Sequence, residues 1–101
     1  MTKDPGFIFY PGDYLRDTQM LSEAAQVAYD RIMCEHMRNI CLTQRQHKFL
    51  TKRLNEDDLE ALNMVLEKVD GGFQIPWVVE SINKRKAYSE SRRRNRAKTY
   101  D

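Results

Sequence analysis

The residues Val69-Asp70-Gly71-Gly72-Phe73-Gln74-Ile75-Pro76 contain the strongest short hairpin signal in this chain of 101 residues. An Asp-Gly pair between apolar residues is a strong local signal for a β-hairpin, because glycine accepts the positive φ that a tight turn requires. Pro76 suits the first turn of a helix, where its missing N–H costs nothing. The sequence therefore predicts a small β-wing that leads into a C-terminal helix.

Three amphipathic helices are predicted ahead of this wing. The first runs from Ser22, a suitable N-cap, to Asn39, because apolar residues recur at three- and four-residue steps between them. The second begins after Thr43, which can form a capping box with Gln46. The third opens at Asn55, with Asp58 in the reciprocal position. From the apolar stripes we expect five buried side chains: Ile32, Leu50, Leu62, Leu66 and Trp77.

The N-terminal segment Phe7-Ile8-Phe9-Tyr10 is aromatic and β-branched, which predicts a short strand. The next residues, Pro11-Gly12, predict a tight turn. We expect this strand to lie near Phe73 to Ile75 of the wing. The predicted fold class is mainly α with a small β-wing: a winged-helix-like cluster of three helices plus a short N-terminal strand, a β-hairpin and a basic C-terminal helix.

Charge divides the chain into two parts. Residues 1–83 hold 9 basic and 13 acidic side chains, a net charge of −4. Residues 84–101 hold 8 basic and 2 acidic side chains, a net charge of +6. The prediction is therefore one winged-helix-like domain over residues 1–83 and a basic tail or projecting helix over residues 84–101. A cationic block attracts polyanions and gains free energy from counterion release on nucleic acid.

Several short motifs resemble one family. They are Phe7-Ile8-Phe9-Tyr10-Pro11-Gly12-Asp13-Tyr14-Leu15, then Leu21-Ser22, Ala28-Tyr29, Leu42-Thr43 and Asp70-Gly71-Gly72. In these motifs, which extend over nearly the whole chain, the sequence resembles the N-terminal domain of the YdaU-like family of phage and prophage replication-initiation proteins. The resemblance implies a winged-helix, DNA-binding module that acts in the initiation of DNA replication or in a primosome.

Two groups of cations are candidates for contact with DNA, duplex or single-stranded. The stronger group lies in the tail, where Tyr88 and Tyr100 could also stack on bases: Lys84, Arg85, Lys86, Arg92, Arg93, Arg94, Arg96 and Lys98. The second group lies on or beside the second predicted helix: Arg45, Lys48, Lys52 and Arg53. The competing interpretation is a solubilising or disordered charge run for the tail, and an ordinary solvated face for the second group.

The third predicted helix is an unusual candidate for reading bases. In a helix-turn-helix protein it would enter the major groove. Its exposed side is acidic, however, and carboxylates repel phosphates. This side carries a single cation, Lys68, and five carboxylates: Glu56, Asp57, Asp58, Glu60 and Glu67. A second hypothesis therefore stays open, in which the chain is an adaptor that binds no DNA and docks a replication helicase or initiator through this helix.

Catalysis, metals and cofactors have little support in the sequence. There is no phosphate-binding Gly-rich loop, and no arrangement of nucleophile and base beyond what composition provides. Cys34, His36, Cys41 and His47 lack the paired spacing of a zinc knuckle. We expect a protein that is not an enzyme, with free thiols, a cytoplasmic location and no membrane-spanning segment.

Overall fold

The computed structural model describes the backbone of residues 6–99 and the side chains of residues 6–94. This part of the chain contains five helices and three short strands. In chain order they are α1 (Pro11–Thr18), α2 (Glu23–Arg38), β1 (Leu42–Thr43), α3 (Gln44–Leu50), α4 (Glu56–Val65), β2 (Glu67–Val69), β3 (Gly72–Gln74) and α5 (Pro76–Thr99). The fold is mainly α with a small β-wing, as predicted, and α2 to β3 follow one another in winged-helix order.

Local capping sets the starts of three helices. The side chain of Ser22 accepts a hydrogen bond from the backbone N–H of Ala25, so α2 begins where the sequence predicts. Thr43 and Gln46 form a complete capping box at the start of α3. The Asn55 side chain accepts the N–H of Asp58 at 2.8 Å and begins α4. Each cap satisfies a backbone donor that has no partner within its helix.

The sheet is antiparallel, with the strand order β1-β3-β2. Its hairpin turns at Asp70-Gly71, and Gly71 takes a φ of 82°, as the turn requires. Gly72 lies opposite Thr43 in the register. A Cβ at Gly72 would collide with the carbonyl of Leu42, so only glycine lets β1 approach β3 this closely. The two-residue strand β1 was not predicted.

Two predictions for the N-terminus were wrong. Residues 7–10 form no strand, and the expected turn at Pro11-Gly12 is instead the first turn of α1. The backbone φ that proline imposes suits both a turn and a helical first turn, so the sequence did not distinguish them. Ile8 forms hydrogen bonds with the Ser81 side chain of α5 and with no neighbouring strand.

The core lies where α2 packs against α4 and α5. Four of the five predicted core residues are buried: Ile32, Leu62, Leu66 and Trp77. The fifth, Leu50, is only half-buried, because it ends α3 at the edge of a surface groove. The buried cluster also contains Ala28, Tyr29, Leu42, Ile75, Val78 and Ile82.

Substitution Leu62→Ala tests this core. Leu62 is 0% exposed, so its removal leaves a cavity, and we expect the free energy of unfolding to fall by about 2–5 kcal/mol. Met64→Ala is the matched control, because Met64 lies on the same helix and is 80% exposed. That control should change stability by about 0.5 kcal/mol or less. Urea denaturation measures both, and equal losses would contradict the assignment of the buried face.

His36 should make stability depend on pH. Burial lowers the pKa of His36 below its ordinary value of 6.5. As the pH falls through 6.5, the unfolded chain therefore binds a proton that the folded chain does not. The free energy of unfolding should decrease there, and it should decrease less steeply in His36→Gln. Urea denaturation between neutral and mildly acidic pH measures both slopes; identical slopes would contradict this role.

Candidate nucleic-acid interface

The basic residues from Lys84 to Lys98 belong to α5, the helix that follows the β-wing. Helix α5 has 24 residues, which corresponds to a length of about 36 Å. Its first two turns contain Trp77, Val78, Ser81 and Ile82, all buried. From Asn83 to Arg94, every side chain is exposed except Arg85, which is half-buried. The helix is thus anchored at one end and solvent-exposed beyond it, and the described chain extends 60 Å along its longest axis.

Buried hydrogen bonds set the position of this anchored end. Nε1 of Trp77 donates to the Tyr29 hydroxyl at 3.0 Å, and that hydroxyl donates to Asp17 at 2.8 Å. Helices α5, α2 and α1 are joined in this way. The Ser81 hydroxyl accepts the N–H of Ile8 at 3.0 Å and donates to the Ile8 carbonyl at 2.8 Å. The N-terminal segment, residues 7–10, is thereby held against α5.

Two tail cations are positioned by the N-terminal segment. The Lys84 ammonium lies 5.5 Å from the Tyr10 ring centre and 3.3 Å from Glu80. Interaction with Tyr10 and Glu80 raises the pKa of Lys84, so it is cationic at neutral pH. The Arg85 guanidinium lies 5.1 Å from the Phe7 ring centre. These two cations therefore sit at the base of the exposed helix, beside aromatic rings.

The other tail cations surround the helix. Successive residues of an α-helix point about 100° apart, so Arg92, Arg93 and Arg94 project in three directions. Arg92 lies 5.7 Å from the Tyr88 ring centre, and Arg94 approaches Glu90 at 3.9 Å. Lys86 is exposed. The backbones of Arg96 and Lys98 continue α5, while their side chains, like Tyr100, lie outside the described residues.

The body cations have different surroundings. Arg45 and Lys48 are exposed on α3, and Lys52 and Arg53 follow it. A groove of about 420 Å³ separates α2 from α3. Its lining combines basic and apolar side chains, without a carboxylate: Ala24, Val27, Ala28, Arg31, Phe49, Leu50, Lys52, Arg53 and Leu54. Lys52 lies 4.3 Å from the Phe49 ring centre. Lys52 and Arg53 thus border an apolar groove, while Arg45 and Lys48 are not part of its lining.

Helix α4 presents carboxylates to solvent. Glu56, Asp57 and Glu60 are exposed, and Asp58 is half-buried. Since α4 holds the place of the recognition helix in this element order, its acidic surface opposes insertion into a major groove. The arrangement leaves α5 as the strongest electrostatic attraction for a polyanion.

The cysteines and histidines do not come together. Cys34 and Cys41 are free thiols, and Cys34 is exposed on α2. His36 and His47 are both buried, and His47 stacks on Phe73 with ring centres 3.9 Å apart. No group of three or more potential metal ligands occurs among the described residues. Within the same residues, no helix has the length and apolar character to cross a bilayer.

Sequence reasoning missed how the N-terminal segment contributes to this surface. Ser81 contacts Ile8 across 73 positions of sequence, and no local pattern indicates such a pairing. A weak signal exists in hindsight, because Ser81 is a polar residue between the apolar Val78 and Ile82.

Comparisons of the chain with protein-family models, with curated proteins and with solved structures found no match.

Proposed function

We propose that this chain is a DNA-binding module of a phage-type replication protein, in which α5 contacts the phosphate backbone. The observation that carries the proposal is the position of the tail cations. They begin two residues after Ile82, the last buried residue among the described side chains of α5, and those with described side chains are exposed except Arg85. An exposed helix with cations on all sides can approach phosphates from several directions, and each neutralised phosphate releases counterions.

The acidic body supports a division of roles within the module. With a net charge of −4 over residues 1–83, the body repels phosphates, and α4 carries much of that charge on its exposed side. Contacts through α5 avoid this repulsion because the helix extends away from the core. Arginine supplies five of the eight tail cations, and its planar guanidinium suits phosphate oxygens.

The replication context comes from the motif resemblance, and above all from the stretch Phe7-Ile8-Phe9-Tyr10-Pro11-Gly12-Asp13-Tyr14-Leu15. A non-enzymatic role and a cytoplasmic location belong to the same proposal. Both thiols are free, which suits a reducing compartment such as the cytoplasm. A replication helicase or initiator is a further proposed partner.

A second candidate function, a protein-interaction adaptor, draws support from α4. Beside its exposed carboxylates, Met64 is 80% exposed on the same helix. An acidic surface with an exposed apolar side chain suits a basic, partly apolar partner such as a face of a helicase or initiator. This candidate requires no DNA binding, so a direct affinity measurement separates the two.

Replacing Arg92, Arg93 and Arg94 together with Ala tests the first proposal. If about five phosphates are neutralised, the log-log plot of duplex affinity against salt should have a slope of about −4 to −5. The triple variant should lose about 2–3 of that slope and bind every sequence more weakly. Fluorescence anisotropy of labelled duplex at several salt concentrations measures this effect.

The matched control replaces three exposed cations of the body, Arg45, Lys48 and Lys52, with Ala. We expect this variant to keep the wild-type salt slope. The opposite result, in which only the body variant loses slope, would transfer the interface to α3. Absence of DNA binding by the wild-type protein would favour the adaptor.

A further inference from the structure

One side of α5 combines aromatic rings with cations. Helical geometry places Trp77, Ser81, Lys84, Tyr88 and Arg92 within an arc of about 80°, over about 22 Å of helix. The N-terminal segment covers the first half of this side. Phe9 packs edge-on against Trp77 at 5.6 Å between ring centres, and Tyr10 does so at 6.2 Å.

The N-terminal segment runs antiparallel to α5. Phe9 contacts Trp77, Ile8 bonds to Ser81, and Phe7 lies under Arg85, so the segment advances along the helix as its residue numbers fall. Beyond it, Tyr88 continues the same side of α5 and is 65% exposed. We call this surface the aromatic strip; its rings are Phe7, Phe9, Tyr10 and Tyr88.

Three of the four rings of the aromatic strip have a cation within 6 Å. Arg85 is 5.1 Å from Phe7, Lys84 is 5.5 Å from Tyr10, and Arg92 is 5.7 Å from Tyr88. Phe9, the fourth ring, is 48% exposed. An apolar protein partner would have to remove water from these cations, whereas a nucleic acid satisfies both groups: phosphates pair with the cations, and bases stack on the rings.

We propose that the aromatic strip binds single-stranded nucleic acid, with bases stacked on Phe9 and Tyr88 and phosphates paired with Lys84, Arg85 and Arg92. This inference rests on the proposed function and specifies the form of its ligand. A duplex keeps its base faces stacked inside the helix, so it can use the cations but not the rings. The rings of the aromatic strip therefore add affinity for single strands only, whereas its cations contribute to binding of both forms.

The test compares Tyr88→Ala with Tyr88→Phe on labelled oligodeoxythymidylate and on a labelled duplex. Loss of one stacked base weakens binding by about 5- to 150-fold. We expect that loss for Tyr88→Ala on the single strand and unchanged duplex affinity. Tyr88→Phe should retain single-strand affinity, because the ring remains. Tyr88 lies on the exposed part of α5 and contacts Arg92, so its removal does not disturb the core.

Two further variants complete the test. Phe9→Ala should weaken single-strand binding to a similar degree, with circular dichroism confirming that the fold is intact. Phe49→Ala is the matched control, since it is an exposed ring with Lys52 at 4.3 Å but lies on α3; it should bind the single strand like the wild type.

Unchanged single-strand binding by Tyr88→Ala, or equal losses on single strand and duplex, would overturn the inference. The proposed function survives such a result if the Arg92, Arg93 and Arg94 variant still loses affinity. If the wild-type protein binds neither form of DNA, both fail together.

Discussion

The buried hydroxyl of Tyr29 joins three helices and fixes the anchored end of α5. It accepts a hydrogen bond from Trp77 of α5 and donates one to Asp17 of α1, while Tyr29 itself belongs to α2. Tyr29 is 0% exposed, and burial raises the pKa of its hydroxyl, so the proton that bonds to Asp17 is retained. A phenol both donates and accepts, which lets one buried group join three helices without an unpaired polar atom.

This junction anchors the first turns of α5, and the rest of that helix continues into solvent. A core of modest size can anchor only the first turns of α5, and Ile82 is the last large aliphatic residue in the sequence of that helix. Isolated helices are marginal in water because their first turn is costly to form. Here the packed turns supply that nucleus, and pairs such as Lys84 with Glu80 support its extension. The body thus holds a cationic helix in solvent without covering it.

Local signals predicted much of the fold, and contacts between distant residues account for the rest. The caps at Ser22, Thr43 and Asn55 and the turn at Gly71 each depend on a few adjacent residues, and all four occur as predicted. The segment Phe7-Ile8-Phe9-Tyr10 has the composition of a strand, but its backbone partner is a serine 73 positions away.

The same distinction applies to the candidate site. Sequence located the tail cations, because a run of charge is visible without a structure. The arrangement of Phe7 against Arg85 and of Tyr10 against Lys84 could not be predicted, since it depends on how the chain brings its two ends together. Likewise, β1 consists of two residues and has no pattern of its own; its pairing with β3 depends on the absence of a side chain at Gly72.

The proposed interface with nucleic acid consists of α5 and the N-terminal segment and excludes α4. Amide chemical shifts of the isotopically labelled protein, followed by NMR during titration with oligodeoxythymidylate, test it most directly. Binding at this interface should give the largest changes at residues 7–10 and 84–94, with the amides of Glu56–Val65 nearly unchanged. Changes concentrated on α3 and α4, with residues 84–94 unaffected, would contradict it.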